Sequence, residues 1–357
     1  MTVWILPLEP LDERYTEDWY SLIPQEFGKR FDNVRMLKGE RLEQKIETGR
    51  FLDVHGTIHW KMTQMADVAR LFKARAVKDG DAFFECDIWR PGLESIRYMS
   101  ALSGLKVYLF GIAHAGTFDP HDFTTQAGLS YIGEYCEKSW IACCDLVFVS
   151  VPFHKRLIQD THKAVPDWKL SVTGLPHYPS RIRDAYKNTY GDFVPVEGRS
   201  NAVVFPHRLD PEKRPYLFDR ILEYVKQYVP NVEGFKSRSK PRTKLEYYGL
   251  LGQSKVAVSF ALQETFGYGM LEAEACGCHV VVPDTLAYQD IYEGNHRYPI
   301  YAEYASLYDW DEYTVIESAG KLVVSALKNP ESTNSGDQFE GALSRMADRM
   351  EEVMDDG

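Results

Sequence analysis

The sequence predicts an α/β protein built from two Rossmann-like domains, each on a parallel sheet. Short apolar runs typical of buried strands alternate with helical segments, and this alternation occurs in two successive series. Between the series, a stretch at residues 176–199 with three prolines breaks the pattern. The 357 residues are many for one domain and enough for two. Strands that alternate regularly with helices indicate βαβ units, whose parallel sheet is covered on both faces.

The first series predicts an N-terminal domain over residues 1–176. It opens with a strand at 2–8, and Thr16 is expected to cap the next helix, with Glu17 and Asp18 in the first turn, where the helix dipole favours acids. Later strands are predicted near 33–37, 82–86, 106–113, 145–151 and 169–176. Helices are predicted after Thr63, around 93–103, at 125–143 and after Pro152.

The second series predicts a C-terminal domain over residues 199–328, after a linker at 177–198. Its predicted strands lie in NAVVF, at 256–261, at 279–282 and in YPIYA, and its helices at 216–228, 244–251, about 266–276 and 309–327. Residues 329–357 are predicted to form a tail and a final helix that crosses back to the first domain.

Composition and charge exclude several classes of protein. A net charge of −11 argues against a uniformly basic nucleic-acid binder, although it leaves room for a local basic groove. The six cysteines lack the paired spacing of zinc sites and are interpreted as small buried hydrophobes in a reducing cytoplasm. No basic leader opens the chain, and no apolar run approaches the roughly 18 residues of a membrane span. We therefore expect a cytoplasmic protein without a membrane partner.

The stretch at residues 256–282 has the clearest chemical meaning. It is interpreted as strand, turn, helix and strand, with Glu264 at the helix entrance and Glu272 on nearly the same side, because eight residues turn about 800°. Gly267 and Gly269 let a ligand approach a helix N-terminus, where free N–H groups favour an anion. On spacing alone, ordinary α/β packing with two solvated acids stays open.

The segment ETFGYGMLEAEACGCHVVV resembles the paired-glutamate E-x7-E motif of retaining GT-B glycosyltransferases similar to family 4. The resemblance implies the GT-B architecture, in which two Rossmann-like domains with parallel sheets face a central cleft. It also implies that Glu272 binds the ribose hydroxyls of a nucleotide and Glu264 the hydroxyls of the sugar. The implied donor segment, whose amides face the pyrophosphate and sugar, further includes Thr265, Phe266, Gly267, Tyr268, Gly269 and Met270.

The stretch FPHRLDPEKRP follows the first strand of the second domain and resembles the family's basic RL-x3-K motif. By that resemblance, Arg208 and Lys213 neutralise the donor diphosphate as it leaves. Such electrostatic stabilisation takes the place of a metal ion, so we expect neither a metal nor a cofactor. The implied co-substrate is a nucleotide sugar, with a UDP-sugar and glucose favoured. Apart from this resemblance, an arginine and a lysine at this spacing usually lie in a solvated loop.

In the first domain, GIAHAGTFDPHDF places His114 just after the most apolar predicted strand. The residue resembles the family histidine that contacts the transferred sugar, although a single histidine is more often structural. Asp119, His121 and Asp122 form a polar loop nearby that is expected to orient an acceptor hydroxyl or relay its proton. An ordinary Asp-Pro turn is the alternative.

Two further segments suggest an acceptor. The basic loop KSRSKPRTK is expected to contact duplex DNA through Lys236, Arg238, Lys240 and Arg242. The front segment ILPLEPLDERYTEDWY, with Arg14 and Tyr15, resembles glycosyltransferases encoded beside DNA-hypermodification genes in phages. That resemblance implies a 5-hydroxymethylpyrimidine acceptor, reached by base flipping in the host cytoplasm.

The sequence departs from the family pattern in two places. LEPLDERYT replaces the Gly-rich loop that many members carry after the first strand, and the span between Lys213 and Glu264 lacks a clear pair of strands. The alternatives are therefore a glycosyltransferase of polysaccharide, lipid or protein, and a non-catalytic module that binds a nucleotide sugar or DNA.

Overall fold

The computed structural model describes residues 1–11, 14–42, 53–240, 242–300 and 312–356. The chain divides into two compact units. One unit combines Met1–Pro176 with Gly341–Gly357, and the other is His177–Glu340. None of the helices in the described ranges is long and apolar enough to cross a membrane.

The described residues contain eleven strands. They are β1 (Val3–Leu6), β2 (Val34–Met36), β3 (Ala82–Glu85), β4 (Tyr108–Ile112), β5 (Leu146–Val149), β6 (Leu170–Val172), β7 (Ala202–Phe205), β8 (Glu233–Lys236), β9 (Val256–Val258), β10 (His279–Pro283) and β11 (Arg297–Tyr298).

The same described ranges contain thirteen α-helices. They are α1 (Tyr15–Phe27), α2 (Val54–Lys73), α3 (Glu94–Ser103), α4 (Phe123–Gln126), α5 (Ser130–Cys143), α6 (Pro152–Thr161), α7 (Pro179–Tyr190), α8 (Pro215–Lys226), α9 (Lys244–Gln253), α10 (Tyr268–Ala275), α11 (Tyr288–Ile291), α12 (Glu312–Lys328) and α13 (Ala342–Asp355).

The strands of the first unit lie in the order β2, β1, β3, β4, β5, β6, and every neighbouring pair is parallel. All residues of β1, β3, β4 and β5 are buried, as expected for strands covered on both faces. Strand β2 lies on one side of β1 and β3 on the other. The carboxyl ends of β1 and β3 therefore flank the topological switch point of this sheet.

The second unit has its own parallel sheet, in the order β11, β10, β9, β7, β8. Its core packs apolar residues of β7, β9 and β10 against α8 and α12. Here β7 lies between β8 and β9, so the carboxyl ends of β7 and β9 flank the switch point. The prediction of an α/β protein with two parallel sheets is confirmed.

Several predicted helix boundaries in the first unit are wrong for local reasons. Thr16 does not cap α1: Arg14 is the N-cap residue, and the Thr16 hydroxyl accepts a hydrogen bond from Leu11 N at 3.2 Å. Helix α2 begins well before Thr63, because the Asp53 side chain caps it. The helix predicted at 125–143 is two helices, α4 and α5, separated by Gly128 with φ of 77°.

Helix α7 occupies most of the predicted linker. Pro179 occupies the first position of α7, where the missing N–H of proline costs nothing, so it starts a helix instead of interrupting one. Strand β8 lies in the span between Lys213 and Glu264, where the sequence pattern predicts no strand.

Helix α13 belongs to the first unit, where the Arg345 guanidinium donates to Thr173 O and the Tyr108 hydroxyl donates to Met354 O. Helix α12 is described over Glu312–Lys328, and residues 301–311, which include the start predicted for this helix and the end of YPIYA, lie outside the described residues.

Candidate functional site

The carboxyl edge of the second sheet brings together the residues that the sequence assigned to the donor. The loop after β7 carries His207 and Arg208 and leads to Lys213 through a short 3-10 helix. The loop after β9 carries Ser259 and leads to Glu264, just before α10. Because β7 and β9 flank the switch point, both loops lie where open α/β sheets bind ligands.

Lys213 and Glu264 form a largely buried ion pair. Lys213 Nζ lies 3.2 Å from Glu264 Oε2 and also donates to the backbone and side-chain oxygens of Gln263. The two side chains are 6% and 17% exposed. Burial raises the pKa of Glu264, but the charge of Lys213 beside it contributes to a net lowering below the ordinary 4.5. The site therefore presents a fixed cation next to an ionised carboxylate at pH 7.

Arg208 faces two carboxylates of its own loop. Its guanidinium forms ion pairs with Asp210 and with Glu212, the latter at 3.3 Å, while a third of its side chain is exposed. A phosphate that binds Arg208 has to compete with these carboxylates. Lys213, in contrast, forms its ion pair with Glu264, the carboxylate that is expected to bind the sugar.

A chain of buried hydrogen bonds in the same loops was not predicted from the sequence. His207 Nε2 lies 2.8 Å from Ser259 Oγ, which lies 3.0 Å from the Tyr288 hydroxyl. Burial, together with the charge of Lys213, lowers the pKa of His207 to about 3, so the imidazole is neutral at pH 7. A histidine and a serine that each follow a strand have no characteristic spacing, so no sequence signal marks them.

Helix α10 begins at Tyr268, because Gly267 adopts a left-handed conformation with φ of 88°. The Gly267 amide donates to Glu264 Oε1 at 3.0 Å, and the Met270 amide donates to the Gly267 carbonyl at 3.0 Å. These two amides are used within the protein, so the expectation that the whole segment faces a ligand is wrong for them.

Gly269 lies in the first turn of α10, where helical N–H groups lack intrahelical partners. A Cβ atom on Gly269 would come within 3.1 Å of Pro206 O, so glycine lets the helix approach the loop after β7. Thr265, Phe266 and Met270 are buried, and the Phe266 ring packs edge-on against Phe339. Their side chains therefore anchor the segment in the core.

Glu272 lies partly exposed on α10, beside Tyr247 of α9. Burial, with the charge of Glu272, raises the pKa of the Tyr247 hydroxyl well above 10. Glu274, two residues further, is buried and accepts hydrogen bonds from Ser335 N at 2.8 Å and Gly336 N at 2.7 Å. Glu272 is thus the carboxylate of α10 that can meet a ligand, and Glu274 is an anchor for residues 333–336.

The basic loop is engaged within the second unit. Lys236 Nζ lies 2.6 Å from Asp219 on α8, the Arg238 guanidinium lies 4.9 Å from the centre of the Tyr247 ring, and Arg242 donates to Ser237 O. Of the four cations expected to contact DNA, Lys240 is exposed and the other three are half-buried. The loop is therefore not the open basic patch that the sequence suggested.

In the first unit, His114 follows β4 and contacts two other elements. Its Nε2 lies 2.8 Å from Cys86 O, and its Nδ1 lies 3.5 Å from the hydroxyl of Tyr15, at the start of α1. Burial lowers the pKa of His114 below its ordinary value. The structure thus brings together two residues that the sequence assigned to the site from separate motifs.

A second buried ion pair, which the sequence did not indicate, follows β3. Lys61 Nζ lies 2.6 Å from Asp87 Oδ2, and the Lys61 side chain is 4% exposed. Burial raises the pKa of Asp87, but electrostatic interactions with Lys61 and His114 lower it by more, so the net shift is below the ordinary value. Lys61 and Asp87 are 26 positions apart and lie in no known pattern, so only the fold reveals their contact.

The polar loop after His114 is held by its own backbone. Asp119 Oδ1 accepts from His121 N at 2.9 Å, and the Asp122 side chain caps α4 by accepting from Thr124 N at 2.9 Å. Both carboxylates are buried. An Asp-Pro turn, the alternative interpretation of this segment, describes this geometry better than a loop that presents carboxylates to an acceptor.

No cluster of three or more His, Cys, Asp or Glu side chains that could hold a metal ion lies within the described ranges. Lys213 and Arg208 supply positive charge at the second switch point.

No family model matches the sequence. Solved structures nevertheless share its fold. The UDP-forming α,α-trehalose-phosphate synthase of Burkholderia vietnamiensis is 11% identical, with a TM-score of 0.62, and the match covers 100% of this chain and 99% of that chain. Anabaena Alr3699/HepE, solved with UDP and glucose, is 11% identical, with a TM-score of 0.57 and 99% of each chain covered. The pneumococcal O-GlcNAc transferase GtfA, solved with UDP and GlcNAc, is 12% identical with a TM-score of 0.53, and the match covers 84% of this chain.

The chain has the GT-B fold. It spans 62% of the length of GtfA and nearly the full length of the other two proteins. In this GT-B chain, each unit carries a largely buried lysine–carboxylate pair beside its switch point. In the first unit, Asp87 after β3 pairs with Lys61 of α2, and in the second, Glu264 after β9 pairs with Lys213 after β7. At 11–12% identity the likeness shows the fold, so the roles of individual residues have to be argued from these contacts.

Proposed function

We propose that the protein is a retaining glycosyltransferase that transfers a hexose from a nucleotide sugar to an acceptor hydroxyl. The observation that carries the proposal is the Lys213–Glu264 ion pair at the switch point of the second sheet, directly before the N-terminus of α10. A cation, a carboxylate and a helix N-terminus at one sheet edge match the three parts of a sugar diphosphate: its charge, its hydroxyls and its phosphate oxygens.

The favoured donor is UDP-glucose. Its support comes from the GT-B structures of similar fold, one of which was solved with UDP and glucose and another of which is named as UDP-forming. Glu272 is proposed to accept hydrogen bonds from the ribose hydroxyls, because it is the partly exposed carboxylate of α10. Glu264 is proposed to accept hydrogen bonds from the hexose.

The proposed reaction breaks the bond between the anomeric carbon and the diphosphate oxygen and forms a bond from that carbon to the acceptor oxygen on the same face. Lys213 and Arg208 stabilise the negative charge that develops on the leaving diphosphate. The acceptor proton passes to the departing phosphate oxygen. Two protein cations supply the electrostatic stabilisation, so the proposal requires no metal ion.

The proposed acceptor is the hydroxymethyl group of 5-hydroxymethylpyrimidine in phage DNA. Its support is the resemblance of the front segment, which includes Arg14 and Tyr15, and the contact between Tyr15 and His114. An aromatic ring beside a histidine suits a flipped base, which is bound by stacking and hydrogen bonds. His114 is proposed to contact the transferred sugar.

A donor screen tests the proposal. The protein is incubated with UDP-glucose, UDP-GlcNAc, UDP-galactose or GDP-mannose and either hydroxymethylated or plain DNA, and the nucleosides are analysed by mass spectrometry. We expect a hexose mass increment on hydroxymethylated DNA with a UDP-sugar. Release of UDP without labelled DNA would replace the DNA acceptor with a saccharide, lipid or protein acceptor. Absence of turnover with every donor, under conditions in which the protein stays folded, would contradict the enzyme proposal and favour a binding module.

A further inference from the structure

The hydroxyl of Ser259 is the centre of a buried hydrogen-bond chain in the second unit. Its side chain is fully buried, and its Oγ lies 3.3 Å from Ala261 N. The same oxygen lies 3.0 Å from the Tyr288 hydroxyl and 2.8 Å from His207 Nε2. A serine hydroxyl has one O–H donor and two acceptor lone pairs. The three partners therefore use its whole hydrogen-bonding capacity.

The direction of each hydrogen bond in this chain can be assigned. The Ala261 amide can only donate to Ser259. The Tyr288 hydroxyl is buried, and Ser259 is its one hydrogen-bond partner in the described ranges, so its proton would be left unsatisfied if it accepted. Tyr288 therefore donates as well, and both lone pairs of the serine are occupied. The proton of Ser259 then goes to His207 Nε2.

This assignment fixes the tautomer of His207. Because Nε2 accepts a hydrogen bond, the neutral ring carries its proton on Nδ1. The side chain is 6% exposed, and Nδ1 has no partner among the residues that the structure describes, yet it is not a fully buried atom. Nδ1 lies 3.7 Å from the position that a Cβ atom on Gly269 would occupy, in the first turn of α10. An N–H donor thus lies beside the N-terminus of this helix.

We propose that His207 donates its Nδ1–H to a phosphate oxygen of the nucleotide-sugar donor, and that Ser259 and Tyr288 are positioning residues that hold its tautomer. The inference rests on the proposed function and adds a neutral, directional donor to it. Arg208 and Lys213 attract the diphosphate by their charge, but both already form ion pairs with carboxylates of the protein. An N–H that meets no acceptor in the described part of the chain can bind a phosphate oxygen without breaking a contact.

The tautomer is measured first, on the protein without a ligand. In protein labelled with ¹⁵N-histidine, the nitrogen chemical shifts distinguish a protonated ring nitrogen from an unprotonated one, and the signals lost in His207→Asn are those of His207. We expect a protonated Nδ1 and an unprotonated Nε2 in the wild type. Ser259→Ala removes the donor to Nε2 and is expected to let part of the population carry the proton there. A proton on Nε2 in the wild type would contradict the inference.

Calorimetric titration with UDP tests the contact with phosphate. His207→Ala is expected to weaken UDP binding about tenfold, the loss of one hydrogen bond to a charged group. The amide of His207→Asn can place an N–H near the position of Nδ1, whereas the amide of His207→Gln lies near that of Nε2. We therefore expect the asparagine variant to bind UDP more tightly than the glutamine variant. Equal UDP affinity of these two variants would mean that the ring only fills space, and the inference would be wrong.

A matched control uses the same substitution elsewhere in the second unit. His279 is a buried histidine at the start of β10, at the amino end of the sheet, so His279→Asn should leave UDP affinity unchanged. Circular dichroism verifies that each variant is folded. 

The failure of this inference differs from the failure of the proposed function. If Lys213→Ala weakens UDP binding and His207→Ala does not, the role of His207 is wrong and the proposed function stands. If the wild type binds neither UDP nor GDP, the proposed function fails and the phosphate contact fails with it, whatever the tautomer.

Discussion

Individual residues of the site were predictable where they belonged to a motif. Lys213 and Glu264 lie 51 positions apart, and the structure places their charged groups in contact, as a shared role requires. His207, Ser259, Lys61 and Asp87 were not found, because each is a single polar residue near a strand or on a helix, with no spacing that distinguishes it from a surface residue. Their contacts exist only after the sheets form.

The first residue-scale prediction concerns Glu264→Gln. The glutamine oxygen can still accept the Gly267 N–H, so the turn should persist, but Lys213 loses its anionic partner. We expect the rate of sugar transfer to fall about 100-fold, while UDP binding stays equal or tightens because a negative charge beside the diphosphate is removed. Single-turnover transfer and UDP titration measure the two effects. Parallel loss of UDP binding and transfer would mean that Glu264 only holds the fold of the loop.

The second residue-scale prediction concerns Lys61→Met. The change leaves the Asp87 carboxylate in a largely buried position without its cation, and breaking such a pair costs roughly 3 kcal/mol in the free energy of unfolding. Urea denaturation measures the loss. Lys73→Met on the same helix is the control, because Lys73 is exposed and should change stability by less than about 0.5 kcal/mol. The double variant Lys61→Met, Asp87→Asn should recover part of the loss, and equal instability of the single and double variants would contradict the pairing.

At the scale of elements, the alternation of strands and helices was predictable, but their boundaries were not. Helix α10 starts later than predicted because Gly267 adopts a left-handed conformation, and α7 was missed because Pro179 was interpreted as a break although it occupies the first helical turn. Such boundaries depend on single backbone conformations, which a pattern of apolar residues does not encode. The order of the strands, and therefore the position of the switch points, also required the structure.

The element-scale prediction is that Gly267→Ala loosens the start of α10. A Cβ atom there would combine positive φ with a 2.9 Å approach to the Tyr288 ring. We expect a loss of about 2–3 kcal/mol in the free energy of unfolding, together with weaker UDP binding. Gly104→Ala is the matched control: Gly104 is also left-handed, with φ of 63° and ψ of 27°, but no atom lies within 4 Å of the added Cβ. A loss for Gly267→Ala no larger than that for Gly104→Ala would show that the Tyr288 contact is unimportant.

For the whole molecule, the prediction of two parallel α/β units is confirmed, and the acceptor stays a proposal. The cause lies in the distribution of signals along the chain. The residues proposed to bind the donor belong to long motifs near strand ends. The residues expected to contact DNA came from a run of basic residues, most of which form contacts within the second unit.

The whole-molecule prediction is a loss of stability in mild acid. Burial lowers the pKa of His154, His177 and His207 to about 3 and that of His279 to about 4, against an ordinary value of 6.5. Below pH 6.5 the unfolded chain binds these protons and the folded protein does not, so stability falls as pH drops towards 4, by about 1.4 kcal/mol per pH unit for each histidine. Urea denaturation between pH 7 and pH 4.5 measures the slope. His207→Gln should reduce that slope by about one proton, and an unchanged slope would contradict the buried neutral state of His207.

The proposed function depends above all on the binding of a nucleotide-sugar diphosphate by Lys213 at the second switch point. Calorimetric titration of the wild type and Lys213→Ala with UDP and UMP measures this contribution, with circular dichroism to verify that the variant is folded. We expect the wild type to bind UDP about tenfold more tightly than UMP, and Lys213→Ala to lose most of this preference while Arg208 retains the remainder. Equal affinity of the wild type and Lys213→Ala for UDP would contradict it.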